Sequence, residues 1–408
     1  MCKEFDNMNE LLKKKILLVA IDSGFDGCKI RVNGYKMNTP FVIQDITGNE
    51  KSFQLTRRND EFIEVKYEDN IYILGEPARK YLQRTNIDAA TATQMKQFYE
   101  IGRYNMKLFE VALTSFIAHA LYTYSKYTMS VPELENFDVT NMDDWKIYVG
   151  VALPHANLEE LTPVVDSYLV GKDKDKKKRH ILDLKVGNDD PVHFDFQIAD
   201  TLFNSQVICA LINEIVDENG NELDEMFENL PALIIDGGYK TVGEFVYECD
   251  QTISSDISNT DYAMLNVNEE VARKIAEYSD EGITDYQIEE MYKDNRTVAY
   301  LDENKECHEL NVKDIKDKEL ENKARKMIEH LLLDYNDLLK IRMILIAGGT
   351  GESYYPYIKE YCEKERPYLS GKVILAGSNE NNKFMGETTE AVYAVVTGLY
   401  KNMCITIA

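Results

Sequence analysis

The sequence lacks the patterns that mark several common protein classes. No apolar run approaches the roughly 18 residues of a membrane span, and residues 1 to 15 contain no apolar region of signal-peptide length. The seven cysteines are odd in number and have no C-x-x-C spacing, which argues against a disulfide framework or a zinc site. They are Cys2, Cys28, Cys209, Cys249, Cys307, Cys362 and Cys404. We therefore expect a cytoplasmic protein with reduced thiols and no membrane contact.

Basic charge is also scarce. The chain has 46 lysines and arginines against 71 acidic residues, a formal net charge of −25. Phosphate repels such a surface, so a protein that coats nucleic acid directly is not expected, although DNA contact through a basic adaptor stays open. The 408 residues, of which 44% are hydrophobic, can build a large core in two or more domains.

One stretch, residues 16 to 32, predicts a hairpin with unusual chemistry. It reads ILLVAIDSGFDGCKIRV, an apolar strand that ends at Asp22, a turn over residues 23 to 27, and a second strand that carries Lys29. Free amides of small residues and an ammonium group bind phosphate, while a carboxylate holds the water shell of magnesium. Any sharp hairpin also favours glycine, so an ordinary turn is the alternative for this motif alone.

Two later stretches strengthen this interpretation. Residues 233 to 246, LIIDGGYKTVGEFV, repeat the pattern with an apolar run that ends at Asp236, a glycine turn and another strand. Residues 343 to 351, MILIAGGTG, predict a strand, a Gly-Gly turn and a helix from about Glu352. Two acidic phosphate hairpins and one late Gly-Gly turn, in this order, are far more specific than any one of them.

Together the three motifs resemble those of the actin-like ATPases, the superfamily of actin, the Hsp70 chaperones and the sugar kinases. The resemblance implies an α/β, actin-like (ribonuclease H-like) fold of two lobes and four subdomains, with a nucleotide in the central cleft. It places the first lobe in residues 1–162, with an insertion at about 40–90. The second lobe is expected in residues 163–360, with an insertion at about 255–330, and residues 361–408 return to the first lobe.

The resemblance also implies roles for individual residues. Asp22 and Asp236 would hold hydrated Mg²⁺ through water, and Asp236 would lie near the attacking water. Lys29 would neutralise phosphate charge. Gln206, in the first turn of a helix with Ser205 as its cap, would orient that water. The remaining nucleotide contacts, with backbone donors in both loops, are Ser23, Gly24, Phe25, Gly237, Gly238, Tyr239, Lys240, Thr241, Arg273, Lys274, Gly348, Gly349 and Thr350.

Each residue has a plainer alternative. Carboxylates commonly cap turns, and a glutamine at a helix start is often only a polar residue there. Arg273 and Lys274 fit a solvated helix surface equally well. Lys240 stands where related loops frequently have threonine, and residues 256 to 266, DISNTDYAMLN, contain no clear glycine motif. The first departure from the family pattern affects one predicted phosphate contact, and the second affects the predicted contacts with the base.

Within the superfamily, three details favour the ParM-like, plasmid-segregating branch. They are the G-E-x-A turn at residues 75 to 78, the Leu153-Pro154 strand end, and the Gly-Gly-Tyr of the second loop. This resemblance implies a head-to-tail filament, since a heterologous interface that does not close gives an open polymer. It also implies turnover by hydrolysis of ATP or GTP and a DNA-binding adaptor that links the filament to a plasmid.

Other functions stay open. No recognisable second-substrate signature of a sugar or acetate kinase is present, and no Hsp70-like peptide-binding region follows the last helix of this sequence. A small-molecule kinase of the same superfamily is nevertheless an alternative. Another bacterial cytoskeletal actin homologue and a non-polymerising regulatory ATPase are further alternatives.

Overall fold

A computed structural model describes most of the chain, namely residues 3–24, 27–48, 62–82, 101–172, 176–217, 220–223, 228–249, 252–278, 283–378, 383–384 and 387–407. Phe25, which the sequence places in the first phosphate loop, lies outside the described residues. The chain forms two compact units. Unit 1 comprises Met1–Asn221, Lys383–Glu387 and Val395–Ala408, and unit 2 comprises Glu222–Asn382 and Thr388–Ala394.

The described residues contain both strands and helices, as expected of an α/β protein. The strands are β1 (Ile16–Ser23), β2 (Cys28–Val32), β3 (Tyr35–Thr39), β4 (Ile43–Asp45), β5 (Ile63–Tyr67), β6 (Asn70–Leu74), β7 (Lys146–Leu153), β8 (Arg179–Val186), β9 (Val192–Ser205), β10 (Ala232–Gly237), β11 (Val242–Tyr247), β12 (Ile253–Asn259), β13 (Thr297–Leu301), β14 (Cys307–Asn311), β15 (Met343–Ala347), β16 (Val373–Leu375), β17 (Lys383–Phe384) and β18 (Glu387–Thr388). The helices are α1 (Lys3–Lys13), α2 (Glu76–Leu82), α3 (Lys107–Ser130), α4 (Leu158–Leu169), α5 (Gln206–Ile215), α6 (Met264–Ala276), α7 (Asp285–Lys293), α8 (Val312–Asp334), α9 (Gly348–Glu365) and α10 (Ala394–Ile407).

Unit 1 is organised by a sheet with the strand order β3-β2-β1-β7-β9-β8-β5-β6-β4. The first three strands are antiparallel neighbours, whereas β1 pairs with β7 and β7 with β9 in parallel. β1 is apolar and almost entirely buried, as expected for a central strand covered on both faces. Because parallel strands end at the same edge, the residues that follow β1, β7 and β9 are brought together.

Unit 2 repeats the same strand pattern on a smaller scale. Its five-stranded sheet has the order β12-β11-β10-β15-β16. Again an antiparallel hairpin, β10 with β11, is followed by a third antiparallel strand, and two strands pair in parallel on the other side. Each unit therefore contains the five-strand arrangement of a ribonuclease H-like domain. The predicted hairpins at residues 16–32 and 233–246 are the corresponding elements of the two units.

Two boundaries differ from the sequence expectation. The chain passes from unit 1 to unit 2 after Asn221, whereas the expected lobe boundary follows residue 162. The difference arises because β8 and β9 pair with β5 and β7 of the unit 1 sheet. Helix α9 begins at Gly348 rather than near Glu352, so the Gly-Gly segment is its first turn instead of a separate turn.

The last helix completes the core of unit 1. Helix α10 packs against α5 so closely that a Cβ on Gly398 would lie 1.7 Å from the carbonyl oxygen of Cys209. The buried Lys401 ammonium donates to the carbonyls of Asn213 and Val216, at 2.8 and 2.7 Å, where α5 ends. A cation at a helix C-terminus satisfies carbonyls that lack helical partners. Among the described residues, no helix combines the length and apolar character needed to cross a membrane.

Candidate functional site

The common edge of β1, β7 and β9 places Gln206 beside Asp22. Asp22 is level with Ala152 of β7, which in turn is level with Asn204 of β9. Helix α5 starts two residues later, with Gln206 in its first turn. Its Nε2 donates to Oδ1 of Asp22 at 2.9 Å. The fold of unit 1 therefore brings together two residues that are far apart in the sequence.

Lys29 joins the same cluster from the other arm of the hairpin. It pairs with Asp22 across β1 and β2, and its Nζ lies 3.7 Å from Oδ2 of Asp22. The side chains are 16% and 8% exposed, so solvent weakens this attraction less than that of a surface ion pair. A Cβ on Gly24 would lie 3.1 Å both from the Lys29 ammonium and from the carbonyl oxygen of Gly27. A side chain at position 24 would thus crowd the space beside the ammonium.

The buried thiols near this cluster remain protonated. Burial raises the pKa of Cys28 and of Cys209 far above the ordinary thiol value, and the negative charge of Asp22 raises both pKa values further. The positive charges of Lys29 and Arg103 act in the opposite direction on the Cys28 pKa, with a smaller effect. Neither cysteine is therefore suited to nucleophilic chemistry. Among the described residues at this edge, Asp22 and Lys29 are the charged pair that remains for chemistry.

Sequence reasoning missed two contacts at this edge. Arg103 is 2% exposed, and its Nη2 donates to the carbonyl oxygen of Ser23. His155, directly after the Leu153-Pro154 strand end, has its Nδ1 3.0 Å from Oγ of Ser205. Ser205 is at the N-cap position of α5 as predicted, but its side chain makes no capping hydrogen bond. Nothing local in the sequence around Arg103 or His155 distinguishes them from surface residues.

In unit 2, the loop between β10 and β11 is a tight turn. The amide of Gly238 donates to the carbonyl oxygen of Thr241 at 2.9 Å, which leaves Tyr239 and Lys240 as the two central residues. In this conformation the Gly238 amide is already paired, so its predicted hydrogen bond to phosphate stays a prediction. The Tyr239 hydroxyl donates to Asp285 at 2.5 Å, and the Tyr239 carbonyl accepts from the amide of Leu265 at 2.8 Å.

Glycines bring the start of α9 against this turn. A Cβ on Gly237 would lie 2.2 Å from the amide nitrogen of Gly351, and a Cβ on Gly348 would lie 2.4 Å from the carbonyl oxygen of Gly237 and 3.0 Å from Oδ1 of Asp236. Gly348 also has a φ of +78°, which side chains rarely adopt. The Thr350 hydroxyl donates to the carbonyl of Gly238 at 2.8 Å. The second loop and the Gly-Gly segment thus form one connected structure.

Arg273 and Lys274 are less directly connected to this loop. They lie in the last turn of α6, whose first turn contacts the loop through Leu265. Eight or nine residues separate them from Leu265, a rise of about 12 Å along the helix. Arg273 pairs with Glu270 and Lys274 with Glu319, and their side chains are 68% and 42% exposed. Their predicted contact with a nucleotide stays a prediction.

A different group of side chains has the composition of a metal site. Asp302, Glu306 and His308 offer ligand atoms within 4.8 Å of one another on the β13–β14 hairpin. Glu306 and His308 are exposed, and the amides of Asn304 and Glu306 already donate to Asp302. Exposed acidic turns of this kind are common without a metal. The group lies outside the two phosphate hairpins, so it is not the magnesium site that the sequence predicts.

Comparison with known proteins identifies the fold. Neither a protein-family model nor a curated protein sequence matches the chain. Among solved structures, the actin-like protein Alp7A superposes with a TM-score of 0.64 at 16% identity, over 96% of each chain. A 15-stranded ParM filament from Clostridium botulinum gives a TM-score of 0.60 at 14% identity, over 96% of this chain and 99% of the other.

A third similar structure is a Bacillus thuringiensis ParM with ATP. Its TM-score is 0.53 at 14% identity, and the match covers 95% of this chain and 98% of the other. These matches span nearly the whole chain at low sequence identity, so they establish its architecture. The chain has the actin-like, ribonuclease H-like α/β fold, and the fold prediction is confirmed.

Proposed function

We propose that this chain with the actin-like fold is a filament-forming ATPase whose nucleotide is held by the two glycine hairpins. The observation that carries the proposal is the Asp22, Lys29 and Gln206 cluster at the end of the parallel strands of unit 1. A carboxylate, an ammonium and a carboxamide converge there from three separate elements. Unit 2 supports the proposal with the corresponding hairpin and with Asp236 at the same position.

The residues of unit 1 fit a polyphosphate ligand. The Ser23 hydroxyl is buried and has no hydrogen-bond partner among the described residues. Gly24 leaves room beside the Lys29 ammonium that a side chain would fill. Both features suit a loop that wraps around phosphate oxygens. We assign Ser23, Gly24 and Lys29 to the phosphates, together with Phe25 from the sequence motif.

Phosphoryl transfer to water needs positioning and charge stabilisation more than covalent chemistry by the protein. Because Nε2 of Gln206 donates to Asp22, its carboxamide oxygen remains the acceptor that can orient a water molecule. Lys29 neutralises charge on the transferred group. Mg²⁺ would supply further charge neutralisation, held through its water shell by the carboxylates of Asp22 and Asp236.

Unit 2 supplies the remaining contacts of the proposal. The phosphate-facing set is Gly237, Tyr239, Lys240 and Thr241, while the Gly238 amide must give up its bond to Thr241 before it can donate to phosphate. Gly348, Gly349 and Thr350 are proposed to contact adenosine, with Arg273 and Lys274 further along α6. ATP is the proposed nucleotide, with GTP as the alternative. A likeness to a ParM with ATP supports ATP.

Self-assembly is the second part of the proposal. One similar structure is a ParM filament, which supports a head-to-tail polymer of this chain. Hydrolysis would change the stability of the polymer, since a bound triphosphate and a diphosphate favour different conformations. We further propose a cytoplasmic location and a basic DNA-binding adaptor that links the filament to a plasmid. The net charge of −25 favours an adaptor over direct contact with DNA.

The test is simultaneous right-angle light scattering and phosphate release in a concentration series of pure protein with Mg²⁺ and ATP. We expect scattering above a critical concentration, with phosphate release that lags behind it. The absence of scattering in ATP, GTP and a slowly hydrolysed analogue would contradict the filament. Phosphate transfer only after a sugar or acid is added would instead indicate a small-molecule kinase.

Two substitutions locate the chemistry. Gln206→Ala should lower phosphate release by about 10- to 100-fold and leave the nucleotide-dependent rise in scattering intact, because it removes the group that orients water. Asp22→Asn should weaken Mg²⁺-dependent nucleotide binding as well. The matched controls are Gln197→Ala and Asp144→Asn, exposed residues outside the site. Equal effects of a site variant and its control would argue against the assignment.

A further inference from the structure

Arg103 occupies an unusual position for a charged residue. It lies in the 3₁₀ turn Ile101–Asn105 before α3 and is 2% exposed. Its guanidinium carbon lies 5.3 Å from the ring centre of Phe41, 5.0 Å from that of Tyr104 and 5.7 Å from that of Phe109. Burying a guanidinium costs free energy that aromatic contacts and hydrogen bonds must offset. Such a residue calls for a reason beyond filling space.

The hydrogen bond of Arg103 points to the phosphate loop. Nη2 donates to the carbonyl oxygen of Ser23, the last residue of β1. That carbonyl belongs to the peptide group that joins Ser23 to Gly24. In a planar trans peptide the C=O and N–H bonds point in opposite directions. Holding the Ser23 oxygen towards Arg103 therefore turns the Gly24 amide away from Arg103.

The charge of Arg103 reaches the other arm of the same hairpin. Its positive charge opposes the rise in the pKa of Cys28, the first residue of β2, as the charge of Lys29 does. Cys28 pairs with Ser23 across β1 and β2, so the Ser23 carbonyl that Arg103 contacts lies where the two strands meet the loop. The hydrogen bond comes from a residue 80 positions further along the chain, so the Ser23 carbonyl is held by tertiary structure and not only by the local sequence.

We propose that Arg103 is a positioning residue that orients the Ser23–Gly24 peptide so that the Gly24 amide donates to the bound phosphate. The inference rests on the proposed nucleotide site. Arg103 itself contacts neither the nucleotide nor the attacking water. It acts through the loop. Its loss should therefore weaken the binding of a ligand more, the more phosphate contacts that ligand makes with the loop.

The experiment measures dissociation constants by calorimetry, with Mg²⁺, for a slowly hydrolysed ATP analogue, ADP and adenosine. We expect Arg103→Met to weaken binding of the ATP analogue about tenfold, the size of one hydrogen bond, and to leave adenosine binding within about twofold of wild type. Arg103→Lys keeps a cationic donor and should recover part of the affinity. It also provides a folded variant if Arg103→Met is too unstable for measurement.

Arg31→Met is the matched control. Arg31 is 4% exposed, donates to Thr397 at 3.0 Å and to the carbonyl of Gly34 at 2.7 Å, and lies 4.4 Å from the ring centre of Phe384. It is a buried arginine of the same unit that does not hold the loop, so its loss should lower the melting temperature without changing the ratio of analogue to adenosine affinity. A purely structural role of Arg103 would leave that ratio unchanged too.

The outcomes separate this inference from the function on which it rests. If the wild-type protein and Arg103→Met bind the ATP analogue equally well, the proposed role of Arg103 is wrong but the proposed function stands. An equal loss of affinity for analogue and adenosine, or the same loss in Arg31→Met, also overturns that role. A wild-type protein that binds no nucleotide overturns the proposed function and this inference together.

Discussion

At the scale of single residues, Glu244 has an environment that disfavours its charged form. It lies on β11, is fully buried, and neither carboxylate oxygen has a hydrogen-bond partner among the described residues. Burial raises its pKa, the charge of Asp334 raises it further, and the nearby His330 lowers it. A buried carboxylate without donors is least costly when it is protonated.

This environment predicts a pH-dependent stability. The folded pKa of Glu244 exceeds the unfolded value of about 4.5, so its favourable contribution is complete below pH 4.5 and is lost as pH rises through the folded pKa. Glu244→Gln should therefore be more stable than wild type at pH 7 to 8, by about 1–3 kcal/mol. The difference should vanish near pH 4.5. Urea unfolding curves across this range provide the measurement.

The exposed Glu303→Gln is the control for Glu244, and we expect no pH-dependent difference from wild type for it. A Glu244→Gln protein that is less stable than wild type at pH 8 would show that the ionised carboxylate has donors in the folded state.

Residue-scale chemistry was predictable where the motif is local. Asp22 and Lys29 face each other because a hairpin of that length pairs them, and the sequence shows the hairpin directly. Arg103 was not predictable, because its burial depends in part on Phe41, which comes from a distant part of the chain. The pairing of the Gly238 amide was also beyond sequence reasoning, since turn geometry decides whether an amide already has a hydrogen-bond partner.

At the scale of elements, the contact of α5 with α10 sets the position of Gln206. Cys209 lies three residues after Gln206 on α5, and its carbonyl oxygen is where a Cβ on Gly398 would intrude. A larger residue at position 398 must push the two helices apart, because backbone cannot yield as a flexible side chain does. Any such shift is transmitted to the first turn of α5.

Gly398→Ala should therefore lower the free energy of unfolding by about 1–3 kcal/mol and slow phosphate release. Thermal or urea unfolding and the release assay provide the two measurements. Gly371→Ala is the control, since a Cβ at position 371 meets nothing within 4 Å, and we expect a change below about 0.5 kcal/mol. A Gly398→Ala protein with wild-type stability would show that α5 and α10 can move apart at this contact without a loss of stability.

The existence of the strands and helices was predictable from apolar runs, whereas the residues at which they begin and end were less predictable. The strand pairs of both phosphate hairpins were expected from sequence. The start of α9 was not, because glycine has low helix propensity and the segment reads as a turn. Close packing against Gly237 overrides that preference, a tertiary effect that no local pattern contains.

At the scale of the whole molecule, charge opposes self-assembly. Each subunit of the proposed filament carries a formal charge of −25, so neighbouring subunits repel one another. Salt shortens the range of this repulsion from about 30 Å at 0.01 M to about 10 Å at 0.1 M. The cost of bringing subunits together should fall accordingly.

We expect the critical concentration for ATP-dependent scattering to fall several-fold between about 0.01 and 0.1 M added salt at constant Mg²⁺ and ATP. Sucrose at matched osmolality is the control and should have little effect on that threshold. A critical concentration that rises over this interval would show that attraction between opposite charges, rather than net repulsion, governs the subunit contact.

The whole-molecule architecture was predictable as a fold but not as a division of the chain. The two acidic hairpins and the Gly-Gly segment predict two domains of the same fold. The structure has the corresponding five-strand arrangement in each unit. The boundary at Asn221 was not predictable, because only the pairing of β8 with β5 and of β9 with β7 assigns these strands to unit 1.

The place of Lys401 in the core has a consequence for synthesis on the ribosome. Unit 1 needs α10 to cap the end of α5, yet α10 is translated after Glu222–Asn382, the larger part of unit 2. At 5–20 residues per second, that segment takes roughly 10 to 30 s to make. During this interval the carbonyls at the end of α5 in the nascent chain lack the Lys401 ammonium as a hydrogen-bond donor. Unit 1, whose synthesis starts first, is therefore the unit that is completed last.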